Sequence, residues 1–146
     1  KFSLDIKNSS VLDLYSGVGS FGLECISRGA RKITFIEENK DALILLKNNL
    51  FKLSKIDNVE LINTSVEKYL DQNLGKKHEI FFLDPPFSDK MFLKNLEKIK
   101  RNKLYFNNHI VVLHRERRSD DNLSDVLKVF EVKFYGKSKI IFGYFT

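Results

Sequence analysis

Short apolar runs alternate along the chain with apolar positions at helical spacing. "SVLDLY" (Ser10–Tyr15), "KITFIE" (Lys32–Glu37), "VELIN" (Val59–Asn63), "EIFFLD" (Glu79–Asp84) and "HIVVLH" (His109–His114) predict five strands. They are rich in Val, Ile, Leu and Phe without strict alternation, as expected where both faces of a sheet are covered. Between them the spacing becomes helical. Leu43, Leu46, Leu50 and Leu53 form one stripe of a helix over Lys40–Ser54, with Asn39 placed to cap it. Thr64 and Glu67 have capping-box spacing and predict a helix through Leu70. A further helix, Asp89–Arg101, turns Phe92, Leu93, Leu96 and Ile99 inward. A short one is expected near Asp120–Leu127, with acids at the positive end of its dipole. The tail, "VFEVKFYGKSKIIFGYFT" (Val129–Thr146), holds two strand-like runs around Gly136-Lys137-Ser138, the pattern of a hairpin. Five βα units closed by a hairpin predict an α/β fold. Its sheet is doubly wound, mainly parallel and seven-stranded, with a C-terminal antiparallel hairpin near one edge.

Composition changes this picture little. The 146 residues suit a single domain over 1–146, with no repeat, low-complexity segment or linker. No apolar run approaches the ~20 residues that span a bilayer, and no signal-peptide pattern opens the chain. The lone Cys25 cannot form an internal disulfide, which suits a reducing cytoplasm. The expectation is a cytoplasmic monomer without membrane contact, trimmed at an N-terminal segment because it starts at Lys1. Lys and Arg outnumber Asp and Glu by 25 to 19, giving +6. Such a surface favours polyanions through counterion release, although the same charge also serves solubility alone.

Candidate chemistry begins at "LDLYSGVGSFGLE" (Leu12–Glu24). Gly17, Gly19 and Gly22 match G-x-G-x-x-G after a strand, a nucleotide-binding turn at a helix N-terminus. Glu37, 20 residues beyond Gly17 at the end of strand two, suits ribose hydroxyls. Asp13 separates two cofactor classes. A carboxylate beside the turn is awkward for a pyrophosphate and comfortable for S-adenosylmethionine, which carries a sulfonium and an ammonium. Asp13 also fits a strand-end acid bonded to loop amides.

Both prolines of the chain follow the fourth strand, in "DPPF" (Asp84–Phe87). In a doubly wound sheet ligands sit at the strands' carboxyl ends, so the glycine turn and this corner would flank one crevice if strands one and four are neighbours. An exocyclic base amine is a poor nucleophile, its lone pair being delocalised into the ring. Asp84 and the Pro85 carbonyl offer two acceptors for its hydrogens. Pro85 and Pro86 stiffen the pair, and Phe87 can stack on the base. Asp84 can then stabilise the cationic nitrogen and take its proton. No metal is expected, since His78, His109 and His114 lack ligand spacing. A plain Asp-Pro turn is the alternative.

"VLDLYSGVGSFGLECISRGA", "ITFIEENKDA", "FFLDPPF" and the closing "YGKSKIIFGYF" resemble the RsmD-type 16S ribosomal RNA (guanine-N2)-methyltransferases over Val11–Phe145. The resemblance implies a Rossmann-like class I methyltransferase fold. It implies S-adenosylmethionine as methyl donor, S-adenosylhomocysteine as product, and one guanine of 16S rRNA, free or in the assembling 30S subunit, as acceptor. It places Asp13, Ser16, Gly17 and Gly19 around the methionine part of the cofactor, Glu37 at the ribose, and Asp84, Pro85, Pro86 and Phe87 at the amine; apart from the resemblance, Tyr15 is expected beside the cofactor with its body packed against the sheet. Where the family often has an acid for the adenine amino group, "NTSVEKYL" supplies the Ser65 hydroxyl or the Val66 backbone. The family's Arg-containing N-terminal segment is absent from these residues.

Arg115, Arg117 and Arg118, after strand five, are expected at the same edge as phosphate contacts, with Lys137 and Lys139 on the hairpin as a second patch; a solvated loop is the alternative. His114 and Glu116 either line the pocket or are structural. Rival functions are an NAD-binding domain, methylation of DNA adenine or a protein glutamine, and a non-catalytic RNA-binding module.

Overall fold

The computed structural model describes residues 3–53, 57–72 and 75–146. Among these, seven strands form one sheet: β1 (Ser10–Leu14), β2 (Lys32–Ile36), β3 (Val59–Ile62), β4 (His78–Leu83), β5 (Tyr105–Glu116), β6 (Leu127–Tyr135) and β7 (Ser138–Phe145). Four helices join them: α1 (Ser20–Ser27), α2 (Lys40–Phe51), α3 (Val66–Gln72) and α4 (Met91–Arg101). The strand order is β3-β2-β1-β4-β5-β7-β6, parallel through β5, with β7 antiparallel to both β5 and β6. The order reverses between β1 and β4, so a crevice opens there at the strands' carboxyl ends.

Both faces of the sheet are covered at β1 and β4, which explains why those strands are continuously apolar, whereas β6 is largely exposed. Leu12 and Leu14 of β1, Phe81 and Leu83 of β4, and Val111 and Leu113 of β5 pack with α3 and α4. Val11, Ile33, Phe35 and Ile80, on the other face, pack with Cys25 of α1 and with Leu46 and Leu50 of α2. The leucine stripe thus serves as expected, and Asn39 caps α2 by accepting from the Ala42 N–H at 3.0 Å. The predicted end of that helix, Ser54, lies outside the described residues.

Three expectations change. The capping residue of α3 is Ser65, whose hydroxyl accepts from Lys68 N–H at 3.2 Å, one position later than the Thr64 box. Glu67 is drawn away from such a box because its carboxylate accepts from the Asn95 amide at 2.7 Å. The helix expected at 120–127 is a single turn around Leu123–Leu127. There Asn122 Oδ1 accepts from the Ser124 N–H and hydroxyl, a local bond that competes with helix, while Asp121 is pulled to Arg115. Finally, β5 starts four residues earlier than read, with a register shift between His78 and Ile80 of β4 absorbing the extra length.

Candidate active site

The cleft at the reversal point has a volume of about 580 Å³. Tyr15 after β1, Glu37 to Asn39 after β2, Thr64, Val66 and Glu67 after β3, and Asp84 to Phe87 after β4 line it. Leu14 pairs in register with Leu83, which puts the glycine turn and the acid-diproline corner at the same end of adjacent strands. The lining includes five carboxylates, Glu37, Glu38, Glu67, Asp84 and Asp89, and no basic side chain among the described residues. A cleft so lined suits a cation and repels phosphate.

The β1 side is held by backbone bonds. Tyr15 adopts a left-handed φ of 58°, uncommon for a non-glycine residue and typical of constrained sites. Its hydroxyl accepts from the Asn95 amide at 2.8 Å, linking the cleft wall to α4 and, through Asn95, to Glu67. Burial pushes the Tyr15 hydroxyl well above its usual pKa, so it is a neutral wall. Glu37 Oε1 accepts from Gly17 N–H at 2.7 Å and Oε2 from Asn39 N–H at 2.9 Å. Each oxygen keeps a lone pair for a donor in the cleft, as a diol provides.

The glycines have separate reasons. Gly17 takes a positive φ of 56° with open space around it. A Cβ on Gly22 would meet the Phe35 ring at 2.2 Å, so that position lets α1 lie on the sheet. Asp13 sits beneath this contact, 1% exposed, with Oδ2 accepting from Gly22 N–H at 3.2 Å. Desolvation first, and then the neighbouring Asp84 and Glu37 charges, raise its pKa well above the ordinary value, against the Gly22 bond. Asp13 Oδ1 and Ser16 Oγ are buried without a hydrogen-bond partner among the described residues. Unpaired buried acceptors beside an acidic cleft fit a cofactor that carries an ammonium.

The predicted residues therefore divide. Tyr15, Glu37, Val66 and Asp84 to Phe87 line the cleft, Asp13, Ser16, Gly17 and Gly19 are not among its lining residues although Gly17 N–H donates to the lining Glu37, and Ser65 is engaged in capping α3. Arg115 requires correction. It is fully buried, pairs with Asp121 at 2.8 Å, donates to the Phe87 carbonyl at 3.1 Å and lies over the Phe92 ring. A guanidinium so enclosed cannot reach a phosphate; it braces the acid-diproline corner. Lys139 is half-buried on the Ser119 carbonyl, whereas Arg117, Arg118 and Lys137 are exposed, Arg117 lying over the Phe134 ring. The residue that sequence reading undervalued is His114, whose Nδ1 is 2.8 Å from Asp84 Oδ1. Its signal was present: Asp84 and His114 each follow the last apolar residue of what prove to be adjacent parallel strands, Leu83 being paired with Leu113.

A doubly wound sheet with an added antiparallel strand and a cleft at its reversal point defines the class I methyltransferase fold. Among solved structures, the candidate methylase HI0767 from Haemophilus influenzae superposes with a TM-score of 0.83 and 28% identity, covering 97% of this chain and 89% of that one. The family model described as "Conserved hypothetical protein 95" matches residues 2–144, and the chain belongs to this RsmD family. Two curated relatives, both "Ribosomal RNA small subunit methyltransferase D" of Buchnera aphidicola strains, are 34% and 37% identical over 77% and 76% of this chain. The chain spans 59% and 56% of their lengths.

Proposed function

We propose that the protein methylates the exocyclic N2 amine of a guanine in small-subunit (16S) ribosomal RNA, with S-adenosylmethionine as donor. The observation that carries this reading is the shared cleft: a ribose-suited carboxylate, Glu37, and the acceptor corner at Asp84 open into one acidic space. S-adenosylmethionine, when bound, supplies an electrophilic methyl on a positively charged sulfur. Asp13, Ser16 and the Gly17–Gly19 turn would hold its amino-acid end, Glu37 its ribose hydroxyls, and Thr64, Val66 and Glu67 the base side of the cleft. The same acidic lining argues against a dinucleotide, whose pyrophosphate would face five carboxylates.

The chain's own residues then act on the acceptor. Asp84 and the Pro85 carbonyl accept from the amine hydrogens, and Pro85 and Pro86 keep that pair stiff. Phe87, 42% exposed, offers a face for the base. As the amine nitrogen becomes cationic, Asp84 stabilises the charge and takes one proton. Arg118 and Lys137, exposed near this edge, are suited to phosphate contact. The partner is 16S rRNA or the assembling 30S subunit, and a cytoplasmic monomer suffices for the chemistry.

The test is transfer of labelled methyl to 30S particles from cells lacking the protein, with naked DNA and protein amide substrates alongside. Wild type should label 16S rRNA. Asp84→Ala should lower the rate by about 10²–10⁴-fold while binding S-adenosylhomocysteine within about twofold of wild type. Labelling of DNA or protein in place of rRNA would overturn the proposed acceptor.

A further inference from the structure

Two consecutive residues of β5 grip the acid-diproline corner from its two ends. Arg115 donates to the Phe87 carbonyl at its far end, and His114 Nδ1 meets the Asp84 carboxylate at its near end, 2.8 Å from Oδ1. Strand alternation sends the two side chains to opposite faces of the sheet, so neither substitutes for the other. Arg115 is buried, but His114 is 25% exposed, Asp84 is 45% exposed, and the imidazole meets the Phe87 ring edge-on at 5.8 Å. This contact therefore reaches the open cleft and both of its candidate acceptor-binding groups.

We infer that His114 is a positioning residue for the transfer: its Nδ1–H fixes Asp84 through Oδ1 and leaves Oδ2 turned to the acceptor amine. The inference rests on the methyl-transfer reading of the site. A carboxylate oxygen accepts, so Nδ1 carries the hydrogen of this bond. Without this bond the half-exposed Asp84 side chain is free to rotate, and the direction of its second oxygen is no longer set. A hydrogen bond to a charged group, together with an ångström-scale misplacement at a reacting centre, corresponds to about ten- to a hundredfold in rate. The pairing is a consequence of strand register, Leu83 facing Leu113 one residue earlier.

The experiment compares His114→Ala, His114→Gln and His114→Asn with Asp84→Ala in the full-length protein, by methyl-transfer kinetics and calorimetry with S-adenosylhomocysteine. Histidine-labelled ¹⁵N spectra give a reading that does not depend on turnover. His114→Ala and His114→Gln should lose about ten- to a hundredfold in kcat, with KM for RNA and S-adenosylhomocysteine affinity within about twofold. His114→Asn should recover to within about threefold of wild type, because an asparagine amide nitrogen sits near the place of Nδ1 and a glutamine amide does not. The spectra should show the Nδ1–H tautomer at His114, with its signal shifting in Asp84→Ala. An Nε2–H tautomer would overturn the inference, as would full activity in His114→Ala where Asp84→Ala is dead. Equal losses in all three His114 variants, with falling Tm, would reduce the residue to a structural one and also overturn it. Wild type that labels no RNA removes the methyl-transfer reading and this inference with it, an outcome separate from any loss confined to His114.

Discussion

At the residue scale, Asp13 carries a cost in the folded protein. It is a buried carboxyl with one oxygen on the Gly22 amide and the other without a partner among the described residues, and burial raises its pKa. Such a group weakens the fold unless a ligand's positive charge meets it. Asp13→Asn keeps an oxygen for Gly22 and removes the buried charge. Thermal unfolding without ligand should therefore shift up by a few degrees, about 1 kcal/mol, while calorimetry shows weaker S-adenosylmethionine binding. Unchanged cofactor affinity would detach Asp13 from the site. From sequence, Asp13 stood first for a ligand contact, with a loop-bonded acid as the alternative; the structure gives it the loop bond and shows no partner for the second oxygen among the described residues.

At the scale of elements, β5 braces the acid-diproline corner, and its predicted basic cluster proves to be two different things. Arg115 and Asp121 have side chains only 1% and 2% exposed, whereas Arg118 faces solvent. Removing Arg115 leaves the buried Asp121 carboxylate with the exposed Lys90 ammonium, 2.9 Å from Oδ1, as its remaining ion-pair partner among the described residues. Arg115→Met should cost about 3 kcal/mol in urea unfolding and lower methyl transfer through a loosened Phe87, whereas Arg115→Met with Asp121→Leu should regain most of the stability without regaining activity. A double variant as unstable as the single one would show the pair is not the source of the loss. Sequence could not separate these arginines, because adjacent strand residues alternate between interior and solvent and the run "HRERRSD" has no apolar pattern to set the phase. The segment that follows, Asp120–Leu127, reads as helix because acids before Leu127 suit a helix start, and nothing local reveals that Asp121 is committed to Arg115.

For the whole molecule, buried histidines of the central strands set a pH limit. His78 hydrogen-bonds with Ser10 Oγ at 3.0 Å, and burial, reinforced by Lys32 and Lys76, lowers its pKa from 6.5 to about 4. The unfolded chain takes that proton near 6.5 and the folded protein near 4. Stability is thus full above pH 6.5, falls as pH drops to 4 and levels off below, a total of roughly 3 kcal/mol. His109 adds a loss of the same sign, because burial lowers its pKa against the Phe106 carbonyl bond, while its Nε2 accepts from Phe145 N–H. Urea midpoints between pH 7 and 4 should show this slope, flattened in His78→Phe; an unaltered slope would rule out His78 as its source. The alternation of strands and helices, the hairpin and the seven-stranded sheet were all legible beforehand, since each rests on periodicity and turn chemistry within a few residues.

That locality marks the division for the molecule as a whole. Sequence alone determined the kinds of element, their order, and the presence of a glycine turn and an acid-diproline-phenylalanine corner at strand ends, because short-range spacing encodes burial and backbone conformation. Tertiary structure alone decided that β1 and β4 lie side by side, that the cleft between them is lined with carboxylates, that Arg115 is interior, and that His114 meets Asp84. Those facts join residues tens of positions apart, and strand register, invisible in any single segment, decides which side chains meet.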